Sequence, residues 1–308
     1  MPIQTVTIVG LGALGTMFGD YLARRLPAGA VRVTADSERL ARYRQCGVTC
    51  NGLPCSFTYL EPSVTDDAAD LVIFATKYGA LADAMEVAAH QVGPHTTILS
   101  LLNGIVSEED LAARFGAEKV LLCTAQGMDA AHQATQTTYA NLGSLAVGVA
   151  ANTPEQTTRL AELTAFFDRT ELPYLTPPNM RVQLWNKLVC NDGINQTCMV
   201  YACGYAGIQA NGAARDTMIA AMRETVAVAY AEGVELPSTT IESWLEVLAS
   251  LDPASMPSMR QDALARRPSE VALFGGTVRS LGRAHGVPTP VNDWLVERIA
   301  EIEQTYAG

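Results

Sequence analysis

The chain has little charge for its 308 residues. Only 17% are Asp, Glu, Lys or Arg, and the balance is lopsided, with 21 basic residues against 32 acidic and a formal net charge of -11. A nucleic-acid surface or a patch for anionic membranes needs clustered Lys and Arg, so this shortage argues against both. An anionic substrate would need its own local cation. No run reaches the roughly 18 uninterrupted apolar residues of a membrane span. The sequence enters a strand-like segment within a few residues of Met1, so no signal peptide is expected, and a cytoplasmic location is. The seven cysteines, Cys46, Cys50, Cys55, Cys123, Cys190, Cys198 and Cys203, include no CxxC pair and no His-flanked cluster. They read as reduced thiols, mostly buried. Cys46, Cys50 and Cys55 lack a nearby fourth ligand, so no metal site is expected.

What is present is globular: 48% of the residues are apolar, and 308 residues suit two packed domains. Short β-rich runs, Val6 to Val9, Val31 to Ala35, Leu71 to Thr76, Thr97 to Leu101 and Val120 to Thr124, alternate with helical stretches. That rhythm predicts an α/β domain, a parallel sheet covered on both faces. Asn51-Gly52 within VTCNGLPCSFTYL predicts a small antiparallel insertion between Val48 and Leu60. A second hairpin is expected from Thr137 to Val149, around Asn141-Leu-Gly143, with a mixed sheet edge, before a helix from Pro154 to Arg169. Thr176-Pro177-Pro178 interrupts the chain and places a domain boundary there, giving domains 1–177 and 178–308. From Met180 onward the sequence reads as helices, with stops at Gly233, Asp252-Pro253 and Gly286 to Pro290. No internal repeat is visible.

GLGALG, that is Gly10, Leu11, Gly12, Ala13, Leu14 and Gly15, follows the strand VTIV and precedes the helix-compatible TMFGDYLARRL. This is the context the dinucleotide fingerprint requires. Gly10 permits the tight turn, Gly12 lets backbone approach a pyrophosphate, and Gly15 allows helix and strand to pack closely. Asp36, after the second strand, lies where a carboxylate accepts hydrogen bonds from adenosine ribose hydroxyls and repels a 2'-phosphate, which favours NAD(H). Arg39 or Lys77 would instead suit the phosphate of NADP(H). Asp36 also reads as the N-cap of SERLARYRQ, a role open to Ser37 as well.

In LWNKLVCNDGINQT, Lys187, Asn191 and Asn195 recur every fourth position, which keeps them on one helix face, each roughly 40° from the last. Leu188, Val189 and Ile194 point elsewhere. A solvated stripe usually carries Glu and Lys rather than two Asn, which are mediocre helix formers. The plain alternative is a polar face satisfied by neighbouring backbone. A lysine beside carboxamides suits ketone reduction, because its ammonium can stabilise the oxyanion formed as hydride arrives and then donate a proton. Ser258 to Asp262 and, eight residues on, Glu270 form a second polar group; Glu270 is a partner for a substrate hydroxyl or for Lys187.

Taken together, GLGALG, the ATK ending at Lys77, LLNG from Leu101 to Gly104, LWNKLVCNDGIN, SMRQD with Glu270, and RAHGVPTPVN resemble the ketopantoate reductase family, nearly end to end and in its order. The resemblance implies a Rossmann-like N-terminal domain, a helical C-terminal domain, and an active site in the cleft between them. It also implies NADP(H)-dependent reduction of 2-dehydropantoate to pantoate, a step towards coenzyme A. On the matched positions, Lys187 resembles the general acid and Glu270 the carboxylate that binds the substrate hydroxyl. Asn191, Asn195 and Ser258 resemble substrate-binding residues, and Asn103 the residue holding cofactor and substrate together. The departure is Asp36, which stands where the family commonly has an arginine for the 2'-phosphate. NAD(H) and an NAD-dependent D-2-hydroxyacid dehydrogenase acting on mandelate-like substrates are therefore carried beside the first reading. A dinucleotide-sensing regulator without catalysis is a third; a sensor has no use for a proton donor such as Lys187. A monomer and a homodimer fit the sequence equally.

Overall fold

The computed structural model describes residues 2–65 and 68–307. The chain divides into two compact units: Met1–Leu102 with Val106–Met180, and Asn103–Ile105 with Arg181–Gly308.

The first unit begins β1 (Val6–Val9), α1 (Ala13–Ala23), β2 (Val31–Thr34), α2 (Ser37–Cys46), β3 (Thr49–Cys50), β4 (Leu53–Pro54), β5 (Thr58–Leu60) and β6 (Ala69–Phe74). It continues through α3 (Leu81–Val87), β7 (Val92–Ser100), α4 (Ser107–Phe115) and β8 (Val120–Gln126). The remaining elements are β9 (Ala131–Gln133), β10 (Gln136–Thr138), β11 (Ser144–Gly148), α5 (Pro154–Thr170) and β12 (Tyr174–Leu175).

Eight strands form one sheet in the order β12-β11-β8-β7-β6-β1-β2-β5. Every pairing is parallel except β11 against β8, the mixed edge expected from sequence. The chain steps from β1 outward to β2 and later returns on the other side of β1 at β6. Val9 stands opposite both Thr34 and Phe74, so the carboxyl ends of three strands are level at this reversal of strand order. Such a switch point is where open α/β sheets bind ligands. Runs such as VTIV and ADLVIF lack simple alternation because both faces are buried. Ile8, Leu71, Ile73 and Leu99 pack with Met17, Phe18, Phe166 and Phe167 on one side. Val9, Val72, Phe74 and Ile98 pack with Leu81 and Leu111 on the other.

Asn51 and Gly52 both have positive φ, 49° and 76°, and turn β3 into β4 as the Asn-Gly pair predicts. The insertion is smaller than expected, because β5 leaves it to pair in parallel with β2 on the main sheet. The expected hairpin from Thr137 to Val149 is not formed. β10 instead pairs back on β9 through a turn at Ala134 (φ 55°), in a four-stranded sheet with β3 and β4, while β11 joins β8. The Asn141-Leu-Gly143 signal is a crossing between sheets: Asp129 accepts from the amides of Ala140 and Asn141 and fixes that loop.

The second unit holds α6 (Met180–Val200, from Arg181 on), α7 (Tyr205–Gln209), α8 (Ala213–Ala231), α9 (Thr240–Ser250), α10 (Ser258–Leu264), α11 (Gly275–His285) and α12 (Pro290–Gln304), with no strand among the described residues. Gly233 and Gly286 take positive φ just past α8 and α11, and Pro290 opens α12, as the stop signals predict. Within α6, Gly193 lets α8 approach: a Cβ there would lie 2.5 Å from Met222 Cγ and 3.0 Å from the Met218 carbonyl oxygen. No helix among the described residues is long and apolar enough to cross a membrane.

Candidate active site

In the first unit, the turn from Gly10 to Gly15 joins β1 to α1 at the switch point. Two of its glycines are demanded by the protein itself. Gly10 has φ +100°, and a Cβ there would sit 2.7 Å from Thr76 Cγ2 and 2.9 Å from the Ala75 carbonyl oxygen. A Cβ on Gly15 would collide with the Gly10 carbonyl oxygen at 1.9 Å. Gly12, the residue before α1, is different: its φ is an ordinary -81°, and the nearest atom to a Cβ there is the Ala75 carbonyl oxygen at 3.8 Å. Among the described residues, nothing crowds a side chain at position 12. A phosphate approaching the free amides at the start of α1 would require glycine there. The residues present therefore fit a dinucleotide, with Leu11, Ala13 and Leu14 supplying the intervening backbone.

Asp36 ends the segment after β2 and caps α2, its Oδ1 accepting from the Arg39 amide at 2.8 Å. Its Oδ2 lies 3.3 Å from Arg39 Nη1, yet 46% of the side chain remains accessible. The cap occupies one lone pair and leaves others for ribose hydroxyls. Lys77 follows β6 at the same end of the sheet and is exposed.

In the second unit, six residues singled out from sequence fall into two bonded sets joined through α6. Lys187 Nζ donates to Asn103 Oδ1 at 3.1 Å, and Asn103 Nδ2 donates to Glu270 Oε2 at 3.0 Å. Asn103 thus stands between the ammonium and the carboxylate. Further along the helix, Asn195 Nδ2 donates to Asn191 Oδ1 at 3.4 Å, while Asn195 Oδ1 accepts from Ser258 Oγ at 3.1 Å and the Met259 amide at 3.2 Å. Leu188, Val189 and Ile194 are buried on the other faces, which fixes the rotation of α6 and turns the stripe towards Asn103 and α10. Asn191 Nδ2 is fully covered and makes no hydrogen bond within the described residues, a donor available to a bound acceptor. Asn103 comes from the loop after β7, and Glu270 from just before a short 3-10 turn, Val271–Leu273. Among the described residues, no group of three His, Cys, Asp or Glu is placed to hold a metal.

One residue of this helix escaped the sequence reading. Asp192, between Asn191 and the stripe's apolar flank, is fully buried. Its carboxyl accepts from Gln196 Nε2 at 2.7 Å and contacts Thr225 Oγ1 at 2.7 Å, and Gln196 continues to Asn292, which donates to Glu224. Burial pushes its pKa up to about 7, against the opposing effect of the Thr225 hydrogen bond. A signal was available: neither three nor four positions away on the helix does Asp192 have a cation, since those places hold Leu188, Val189, Asn195 and Gln196.

Two family models match the chain in tandem: ketopantoate reductase PanE/ApbA over residues 6–152, and the ketopantoate reductase PanE/ApbA C-terminal model over residues 179–303. A 2-dehydropantoate 2-reductase of Halobacterium salinarum is 26% identical over 302 residues, covering 96% of this chain and 97% of the relative. Among solved structures, 2-dehydropantoate 2-reductase from Geobacter metallireducens GS-15 superposes with a TM-score of 0.84 at 26% identity, covering 96% of this chain and 99% of that one. The ternary structure of D-mandelate dehydrogenase with NADH and anilino(oxo)acetate shares the fold, with a TM-score of 0.88 at 21% identity over 98% and 99% of the two chains. With a Rossmann-like sheet carrying the glycine turn, a helical unit carrying the Lys187 stripe, and both family models matched over most of its length, the chain belongs to the ketopantoate reductase family.

Proposed function

We propose that this protein reduces the ketone of 2-dehydropantoate to the alcohol of pantoate at the expense of a reduced nicotinamide dinucleotide. The observation that carries the reading is the hydrogen-bonded series Lys187, Asn103 and Glu270 in one unit with Asn191, Asn195 and Ser258. When bound, the cofactor supplies the hydride. Lys187 holds an N–H towards the ketone oxygen, stabilises the alkoxide charge as it develops, and gives up a proton to complete the alcohol. Asn103 orients the ammonium by accepting one of its hydrogens at 3.1 Å. Glu270, whose second oxygen is not used by Asn103, accepts from the substrate hydroxyl. Asn191, Asn195 and Ser258 bind the remaining polar groups of the acid, and Gly10 to Gly15, Asp36 and Lys77 hold the dinucleotide, with Asn103 touching both.

Asp36 supports NADH over NADPH, since a carboxylate already paired to Arg39 would face the 2'-phosphate with like charge. The same feature supports a second reading, an NAD-dependent D-2-hydroxyacid dehydrogenase with the same lysine chemistry. The test is a steady-state assay of purified protein with 2-dehydropantoate, run with NADPH and NADH in parallel, beside phenylglyoxylate. Faster oxidation with 2-dehydropantoate supports the proposal, and faster oxidation with phenylglyoxylate supports the second reading. Tight cofactor binding with no turnover of either acid refutes both and leaves a sensor.

A further inference from the structure

The carboxyl end of α6 closes with a Schellman motif. Val200 is the last helical residue, Ala202 takes the left-handed conformation at φ 52°, the Cys203 amide donates to the Cys198 carbonyl at 3.1 Å, and the Ala202 amide donates to the Met199 carbonyl at 3.3 Å. This motif folds the residue after the left-handed one back onto the residue five positions earlier, and the two side chains normally make an apolar contact. Here both are cysteines. The two thiols lie close enough to act on each other's ionisation, and the Cys198 thiol is 3.8 Å from the Gly204 carbonyl oxygen. Gly207 shows that the position of Cys203 is built in: a Cβ at 207 would lie 2.6 Å from Cys203 Cβ and 2.8 Å from its Sγ, so α7 accommodates the thiol only because residue 207 has no side chain. Cys198 is fully buried and Cys203 is half-buried.

We propose that Cys198 and Cys203 form a modification site, a dithiol that low-molecular-weight disulfides convert to an intramolecular disulfide. Disulfide exchange needs one accessible thiol to begin and a second held against it to finish. The Cys203 thiol loses its proton to solvent and attacks one sulfur of oxidised glutathione, forming a mixed disulfide and expelling one glutathione thiolate. The Cys198 thiol then loses its proton and attacks the Cys203 sulfur, expelling the second glutathione. Two protein thiols are oxidised and one glutathione disulfide is reduced to two thiols. Burial holds the Cys198 thiol well above the ordinary thiol range, so the second step is the slower and speeds up as pH rises. The Schellman bonds hold the backbone of residue 203 against that of residue 198, and closing the disulfide then requires the two side chains to bring their sulfurs to bonding distance.

The test uses the full chain, reduced, desalted and exposed to oxidised glutathione. The expected product has lost two hydrogens without a retained glutathione. After denaturing alkylation, chymotryptic cleavage behind Tyr201 should leave the Cys198 and Cys203 peptides joined until a reductant is added. Cys203→Ser should form no internal disulfide at those positions, Cys198→Ser should stop at the Cys203 glutathione adduct, and Cys190→Ser should behave as wild type. A wild-type protein that stops at a mixed disulfide, remains unmodified, or links either cysteine to a different partner overturns the proposal. Should Cys198→Ser fail to fold, Cys203→Ser, at the more accessible position, decides alone.

Discussion

Asp192→Asn should make the protein more stable above neutral pH while changing little in acid. Thr225 has one hydroxyl hydrogen and two acceptors within reach, Asp192 Oδ2 at 2.7 Å and the Ala221 carbonyl oxygen at 3.1 Å. A protonated Asp192 resolves the competition: it donates to Thr225 Oγ1, which donates to Ala221, while Oδ1 accepts from Gln196. Asparagine has nearly the same shape, with Oδ1 to accept from Gln196 and an Nδ2 hydrogen to donate to Thr225, and carries one N–H more than the protonated acid. The folded-state pKa is pushed up to about 7 from an ordinary value of 3.8. The native state therefore binds the proton more tightly than the unfolded chain. That stabilisation is complete below pH ~4 and is lost as pH rises to about 7, by up to ~1.4 kcal/mol per pH unit and ~4 kcal/mol in all. The asparagine variant has no such loss. Trp185, Trp244 and Trp294 are the three tryptophans and all lie in the helical unit, so urea unfolding followed by tryptophan fluorescence reports on the part concerned. Measured from pH 4.5 to 8.5, the variant-minus-wild-type stability should rise by about 2–4 kcal/mol and then level off. A pH-independent difference, or a variant less stable at pH 8, would show that Asp192 is not held protonated in the fold between pH 4.5 and 7 and that the bonding assignment is wrong.

The remaining expectations concern the proposed reaction. Lys187→Ala should lower kcat by about 10²- to 10⁴-fold with cofactor affinity nearly unchanged, checked by steady-state kinetics and fluorescence titration; near-normal turnover removes Lys187 from the chemistry. Asp36→Arg should shift the NADH to NADPH preference towards NADPH, read as the ratio of kcat/KM values, and an unchanged ratio would mean that Asp36 does not reach the ribose. Gly12→Ala and Gly15→Ala should separate ligand from fold. With the nearest atom 3.8 Å from a Cβ at position 12, that variant should melt as wild type yet bind dinucleotide at least tenfold more weakly, whereas the 1.9 Å clash at position 15 should lower the melting temperature itself. Equal cofactor affinity for Gly12→Ala and wild type would contradict the phosphate reading of the turn.

Local signals carried much of the architecture. Strands alternating with helices, the glycine turn between VTIV and a helix, Asn51-Gly52, and the Gly and Pro stops of the helical unit depend on neighbours in sequence, and each was legible there. The failed hairpin at 137–149 was a local signal with two tertiary solutions. Turn residues between two β-rich runs show that the chain bends, but β10 and β11 found better partners in β9 and β8, and pairing energy comes from the partner strand. The four-residue spacing of Lys187, Asn191 and Asn195 was enough to place them on one face, because helix geometry is fixed by the backbone alone.

What spacing cannot determine is what that face meets. Asn103, Ser258 and Glu270 are separated from Lys187 by some seventy to eighty-five positions, and only the packed helical unit shows Asn103 interposed between the ammonium and the carboxylate. The same limit hid Asp192, whose titration is set by exclusion of water and by Thr225 and Gln196, and it hid the contact of Cys198 with Cys203, which exists because Ala202 turns the chain left-handed at the end of α6. Sequence by itself determined which residue types and which local conformations were available. Burial and long-range contact, which depend on the whole packed chain, decided which of those side chains meet and in what state of protonation.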